Sequence, residues 1–259
     1  MVTEIFWHGF LAALVAGFIT GIGGLCVFLK KRYSKAQINM FLNFAAGVML
    51  GASFFSLLVP SMQDIMAKSD DLYASALHYG IAVFCGVGLI WLLNMALPHE
   101  HNSMGGHGPH FDLTKAWLFI IAITLHKLPE GLAVGVAYGA EELINPLSLV
   151  IGIAVHNLPE GLTIAISLVG AGSTKLRAAF VAFIIGLMQP FGAVVGLLLT
   201  DISFDIVPYT MALAGGTLLF VVINEILPET YGQKETNKSA AAVFLGFILM
   251  TYLSIIFHE

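Results

Sequence analysis

The sequence predicts an all-α, polytopic membrane protein with eight transmembrane helices and both termini outside. Three observations predict it. Of 259 residues, 58% are hydrophobic and 10% charged; the apolar residues fall into long runs; and the basic residues collect on alternate connections. A mean hydropathy of +0.89 lies outside the range of soluble globular domains. Runs of about 18 apolar residues or more can cross a hydrocarbon core of roughly 30 Å as helices. A membrane β-barrel is excluded, because it would show short segments of alternating polarity.

Eight runs qualify, near residues 6–29, 38–60, 76–98, 115–139, 145–169, 177–200, 207–228 and 240–257. The first follows Met1-Val2-Thr3-Glu4, which lacks the basic region of a secretory signal, so it is expected to be a retained span. The connections are short, so residues 1–259 read as one transmembrane domain.

Lys30, Lys31, Arg32 and Lys35 follow the first span, Lys115 opens the fourth, Lys175 and Arg177 follow the fifth, and Lys234 and Lys238 follow the seventh. With eight spans these all lie on one side, which the basic excess of cytoplasmic loops assigns to the cytoplasm. The opposite loops hold Lys68 among acids: Asp64, Asp70, Asp71, Glu141, Glu142, Asp201 and Asp205. Their potential mildly enriches cations on that side.

No basic surface suited to nucleic acid is present. Cys26 and Cys85, in separate spans and without a CxxC pattern, predict apolar packing rather than a disulfide.

Lys127, Glu130, Glu160, Glu225, His126 and His156 fall within the membrane or at its edge. Such groups cost at least ~2.5–3.5 kcal/mol each on insertion scales and normally mark a pathway or binding site, so they are expected to cluster. Five of them belong to a repeated hexapeptide: His126-Lys127-Leu128-Pro129-Glu130-Gly131 in the fourth span and His156-Asn157-Leu158-Pro159-Glu160-Gly161 in the fifth.

His and Glu at i and i+4 share a helical face, so each copy presents an imidazole and a carboxylate together. Two facing copies give a mixed nitrogen and oxygen set suited to zinc and tolerable for ferrous iron, manganese or cadmium. Pro129 and Pro159 free the carbonyls of Leu125 and Val155, and irregular backbone at this depth is tolerated chiefly where it lines protein or a wet cavity. Gly131 and Gly161 permit close helix approach. G-x-x-x-G pairs at Gly17–Gly21, Gly47–Gly51 and Gly131–Gly135 predict tight internal helix contacts.

An intramembrane metalloprotease would carry H-E-x-x-H. Neither copy does, so no enzyme and no catalytic cofactor is expected. The alternatives to a transporter are another membrane metalloenzyme, such as a hydrolase, and a membrane metal sensor that moves no ions. Between the third and fourth spans, residues 99–114 hold His99, His101, His107 and His110 among glycines, Asn102 and Pro109. This composition predicts a cytoplasmic loop without stable structure that binds metal weakly.

With eight spans, outside termini, paired H-x-x-P-E-G motifs and a histidine-bearing loop, the sequence resembles the ZIP (ZRT/IRT-like) family of divalent metal transporters, near its bacterial branch. The resemblance covers essentially the whole chain. It implies zinc uptake into the cytoplasm across the cell membrane, the inner membrane in a bacterium, by alternating access of an elevator-like kind. A homodimer is also implied.

The resemblance further implies a primary metal site of His126, Glu130, His156 and Glu160 with Met49 from the second span. A second site would use Lys127, Asn157, Glu160 and Gln189. Lysine and glutamine there reduce negative charge, so the expectation is a mononuclear site in which the Lys127 ammonium replaces the second metal and bonds to Glu160 and Gln189. Asn224 and Glu225 take the positions of an exit-path pair. Ser56 and Asp64 are expected to line the entrance.

Overall fold

The structure is a computed structural model that describes residues 2–96, 99–101, 105–107, 115–140, 143–230 and 236–257. Helix α1 (Val2–Leu25) runs into a short 3-10 turn, Cys26–Phe28. Helix α2 (Lys35–Gly51) starts at a capping box, in which the Ser34 hydroxyl accepts from the Gln37 amide and the Gln37 side chain returns the bond. It continues through a π-helical stretch, Ala52–Leu58, into α3 (Val59–Ala67). Helix α4 (Leu72–Ala96) follows Asp71, whose carboxylate accepts from the Tyr73 and Ala74 amides.

Next come α5 (Lys115–Gly139), α6 (Leu147–Gly170), α7 (Lys175–Gly186), α8 (Gln189–Asp201) and α9 (Val207–Val221). A second π-helical stretch, Val222–Ile226, leads into α10 (Leu227–Thr230), and α11 (Thr236–Ile256) closes the bundle.

Among the described residues, seven helical segments are long and apolar enough to cross a membrane: Thr3–Phe28, Lys35–Ala67, Leu72–Ala96, Leu147–Gly170, Lys175–Asp201, Phe204–Asn224 and Asn237–Ile256. They coincide with seven of the expected spans, and α5, a 25-residue helix, covers the expected fourth. Large apolar side chains such as Phe84, Phe180, Phe244 and Tyr252 lie exposed on the outside of the bundle. On a soluble protein so extensive an apolar surface would be a liability, whereas lipid covers it here.

Two details differ from the sequence reading. The sixth span is broken between α7 and α8, because Pro190 lacks the N–H that would have bonded to the Gly186 carbonyl. The loop expected to be unstructured folds back on itself: β1 (His99–His101) pairs antiparallel with β2 (Gly105–His107), His99 opposite His107. His110, Glu141, Glu142 and Lys234 lie outside the described residues, as do the side chains of His99, His101, His107, Lys115 and Glu225.

The two π-helical stretches share a cause. Each ends just before a proline, Pro60 or Pro228, whose ring crowds the carbonyl four residues earlier and loosens the turn. Those earlier residues are Ser56 and Asn224, the positions expected at the entrance and the exit. Single π turns inside helices recur at functional sites.

Close packing divides the bundle into two sets of helices. In the first set, a Cβ on Gly131 would strike the Gln189 carbonyl, one on Gly161 the Thr20 carbonyl, and one on Gly17 the Gly186 carbonyl. This joins α1, α5, α6, α7 and α8. In the second set, Gly47 abuts the Val243 carbonyl and Gly86 the Leu213 carbonyl, joining α2 to α11 and α4 to α9. All three G-x-x-x-G pairs are thus internal contacts.

Every such backbone-to-backbone approach among the described glycines falls inside one set or the other. Across the seam, where α2 meets α6 and α5 meets α9, the one close approach at a described glycine is to side chains. A Cβ on Gly152 would meet the Met250 sulfur, with Val48 Cγ1 at 3.6 Å.

Candidate metal centre

Both hexapeptides lie inside their helices, and α5 and α6 run on through Pro129 and Pro159. Glu130 is the sixteenth residue of α5 and Glu160 the fourteenth of α6, so both sit near mid-helix, far from either membrane face. Their surroundings are closed: Lys127, Glu130, Asn157 and Gln189 have no exposed surface, and His156 and Glu160 very little. Charges this deep must be paired, because an isolated one is prohibitive in a low-dielectric interior.

Pairing is complete at Lys127. Its ammonium donates to Glu130 Oε2 at 2.7 Å, to Asn157 Oδ1 at 2.6 Å and to Glu160 Oε2. Three donors meet three acceptors, which is all a lysine can offer. The Asn157 amide nitrogen in turn donates to the Ala16 carbonyl at 2.7 Å and to Gln189 Oε1 at 2.9 Å. The expected direct bond between Lys127 and Gln189 is not the one made: Asn157 stands between them and relays the contact. The physical reason is reach, since the amide on α6 lies closer to α8 than the ammonium does.

The other side of the carboxylates faces His156. Its Nε2 lies 3.4 Å from Glu130 Oε1 and 3.7 Å from Glu160 Oε2. One ligand atom from each of Glu130, His156 and Glu160 falls within 4.8 Å of the others. Glu130 Oε1 and His156 Nδ1 have no hydrogen-bond partner among the described residues, although buried polar atoms are rarely left so. Glu130 therefore divides its oxygens, Oε2 to the ammonium and Oε1 to the pocket.

This donor set, one imidazole and two carboxylates in a buried pocket, is of the kind that binds zinc or a similar divalent ion. The pairing it uses crosses between helices: His156 faces the glutamate of the other copy more closely than its own. His126, one turn before Glu130 on α5 and also buried, is not among the three residues within 4.8 Å.

The chain belongs to the ZIP zinc transporter family. The family model for the ZIP zinc transporter matches residues 97–254, which include both hexapeptides. The chain is 34% identical over 247 residues to the zinc transporter GufA of Myxococcus xanthus, covering 95% of this chain and 97% of that one. It is 36% identical to the zinc transporter ZIPB of Bordetella bronchiseptica, covering 92% of this chain and 78% of the relative. It is 32% identical to the zinc transporter ZupT of Streptococcus mutans, covering 96% and 97%. All three relatives are bacterial, and this ZIP chain is a multi-pass membrane protein.

The remaining predicted positions fall elsewhere in the bundle. Met49 is fully buried on α2, across the seam, within the main apolar core. Ser56 shares a 3.3 Å hydrogen bond with Ser148 of α6 and lines a cavity of about 100 Å³ with Gln63, Asn145 and Ser254. Asp64 does not line that cavity and instead pairs with Lys68 at 2.7 Å. Asn224 is exposed on the second π-helical stretch. Cys26 and Cys85 are free thiols, and Cys85 is exposed rather than packed.

Sequence reasoning missed Ser148 and the Ala16 carbonyl. Ser148 carried a usable signal as a polar residue near the start of an apolar span; a backbone carbonyl carries none.

Proposed function

We propose that this protein carries divalent transition-metal ions, zinc foremost, into the cytoplasm by alternating access. The observation that supports it most directly is the gathering of Glu130, His156 and Glu160 ligand atoms within 4.8 Å at mid-helix, in a chain of the ZIP family. His126 and Met49 complete the primary site as the ion enters: His126 is a turn away on α5, and Met49 comes from the facing set of helices. The site holds one ion, because the Lys127 ammonium already fills the space where a second would sit. Iron, manganese and cadmium are tolerated by ligand type.

The moving body is larger than the fourth and fifth spans. Glycine contacts bind α5 to α8 and α6 to α1, so the ion-bearing set α1 and α5–α8 shifts as a unit against α2–α4 and α9–α11. In this reading residues 1–259 form one domain of eight spans with both termini outside, in a bacterial inner membrane, and the protein is a homodimer. Ions enter by way of Ser56 and Asp64 and leave past Asn224 and Glu225 towards the hairpin histidines His99, His101 and His107, and His110 beyond.

Liposomes containing the protein and a zinc-sensitive dye test this. Lumenal zinc should rise with the unaltered chain and fail to rise with Glu130→Ala or His126→Ala. Binding without lumenal zinc would leave a sensor instead of a transporter. Ligand carboxylates and imidazoles must be free of protons to hold metal, so uptake should weaken as pH falls towards 5, and a flat profile would contradict the assignment.

A further inference from the structure

Lys127 poses a question that metal binding does not answer. Its ammonium bonds to both pocket carboxylates, so it competes with cargo for the same charge and lowers affinity. A lysine that merely blocked a second ion could be replaced by any bulky neutral residue. Yet this one is built in with care. The Asn157 oxygen that receives it belongs to an amide fixed at both N–H bonds, on the Ala16 carbonyl and Gln189 Oε1. The ammonium's berth is therefore rigid, and it does not cover the cargo side, where Glu130 Oε1 stays open towards His156.

Charge accounting shows what the lysine changes. With neutral histidine, the two carboxylates and the ammonium of the cargo-free site sum to −2 + 1 = −1. With a divalent ion the sum is +1. Without the lysine, the loaded site would be neutral and the empty site would carry −2, two adjacent buried carboxylates with no cation at all. A carrier that delivers its ion must bring the empty site back, and uncompensated charge at this depth is what the membrane opposes most.

We infer that the Lys127 ammonium is a tethered counter-cation for the cargo-free state, which lets the emptied site return across the membrane without a metal ion. The inference rests on the reading of the chain as an alternating-access carrier. Its partners lie on α5 and α6, and Asn157 ties them to α1 and α8, all in the set that bears the pocket, so the ammonium travels with the site through the whole cycle.

Two fluxes of radioactive zinc into proteoliposomes separate the steps. Net uptake into a zinc-free lumen requires the empty site to return. Exchange against unlabelled lumenal zinc lets the site return loaded. Lys127→Leu, which removes the charge and every donor, should lower net uptake at least about tenfold more than it lowers exchange. Lys127→Gln, neutral but polar, should do the same, and retained exchange certifies the fold of either variant. Equal losses of both fluxes in both variants, or no loss in either, would overturn the inference. Absence of both fluxes in the unaltered protein would instead remove the carrier reading beneath it.

Discussion

The two hexapeptides differ at one position in six, yet they do different work. The copy on α5 supplies a cation, Lys127, and a glutamate whose two oxygens face in different directions. The copy on α6 supplies the imidazole of the gathered ligand set, a glutamate that serves pocket and ammonium with one oxygen, and an amide that ties α6 to α1 and α8. Asparagine suits that last role because it accepts and donates at once, whereas lysine only donates. A single side-chain difference thus separates a charge-bearing half from an anchoring half, while the shared Pro, Glu and Gly keep the halves in register.

Removing either glutamate should have the largest effect. Glu160→Ala and Glu130→Ala each take one of the two carboxylates from a fully buried ammonium, which costs on the order of 3–5 kcal/mol, and each should abolish zinc flux. Thermal unfolding in detergent, read beside liposome uptake, checks both. If one copy's glutamate proved dispensable, the halves would not share a site.

Next in size are the paired glycines. Gly131→Ala and Gly161→Ala both drive a Cβ into a backbone carbonyl of a neighbouring helix, which no rotamer change relieves. Each should destabilise the protein by about 3 kcal/mol, near the top of the usual range for overpacking. Comparable losses of melting temperature would support equal docking of the halves, and a large inequality would break the symmetry.

Making the copies identical is a gentler intervention. Lys127→Asn should raise bound zinc from one ion to two per chain, measured by elemental analysis of the purified protein, and an unchanged ratio would count against the lysine as occupant of the second position. The smallest effect is expected outside both copies, at Ser56→Ala. It removes one neutral hydrogen bond to Ser148, worth about 1 kcal/mol, and should alter zinc flux less than twofold. A larger drop would give Ser56 a part in conduction beyond lining the cavity.

The spans were legible because apolar length is a one-dimensional property, and the motif pairs because helical spacing puts His and Glu on one face without knowledge of neighbours. The placement of Lys127 against Glu160 was also within reach, since both are costly alone at the same depth. Its acceptance by Asn157 was not, because that depends on how far α5, α6 and α8 stand apart. The same holds for the cross-helix preference of His156 for Glu130, which i to i+4 spacing cannot reveal. The break before Pro190 and the loosened turns before Pro60 and Pro228 had local signals in the prolines themselves. The hairpin at His99–His107 had none strong enough to outweigh its glycines.

The contact of Met250 with Gly152 gives the seam a mechanical character. Within either set, sliding one helix along another would force a Cα past a carbonyl oxygen, so each set resists shear. At the seam the same kind of gap is filled by an unbranched thioether, fully buried, whose several rotamers lie close in energy. In the proposed alternating-access cycle it would serve as a bearing, changing shape as the surfaces pass, where a branched side chain would catch.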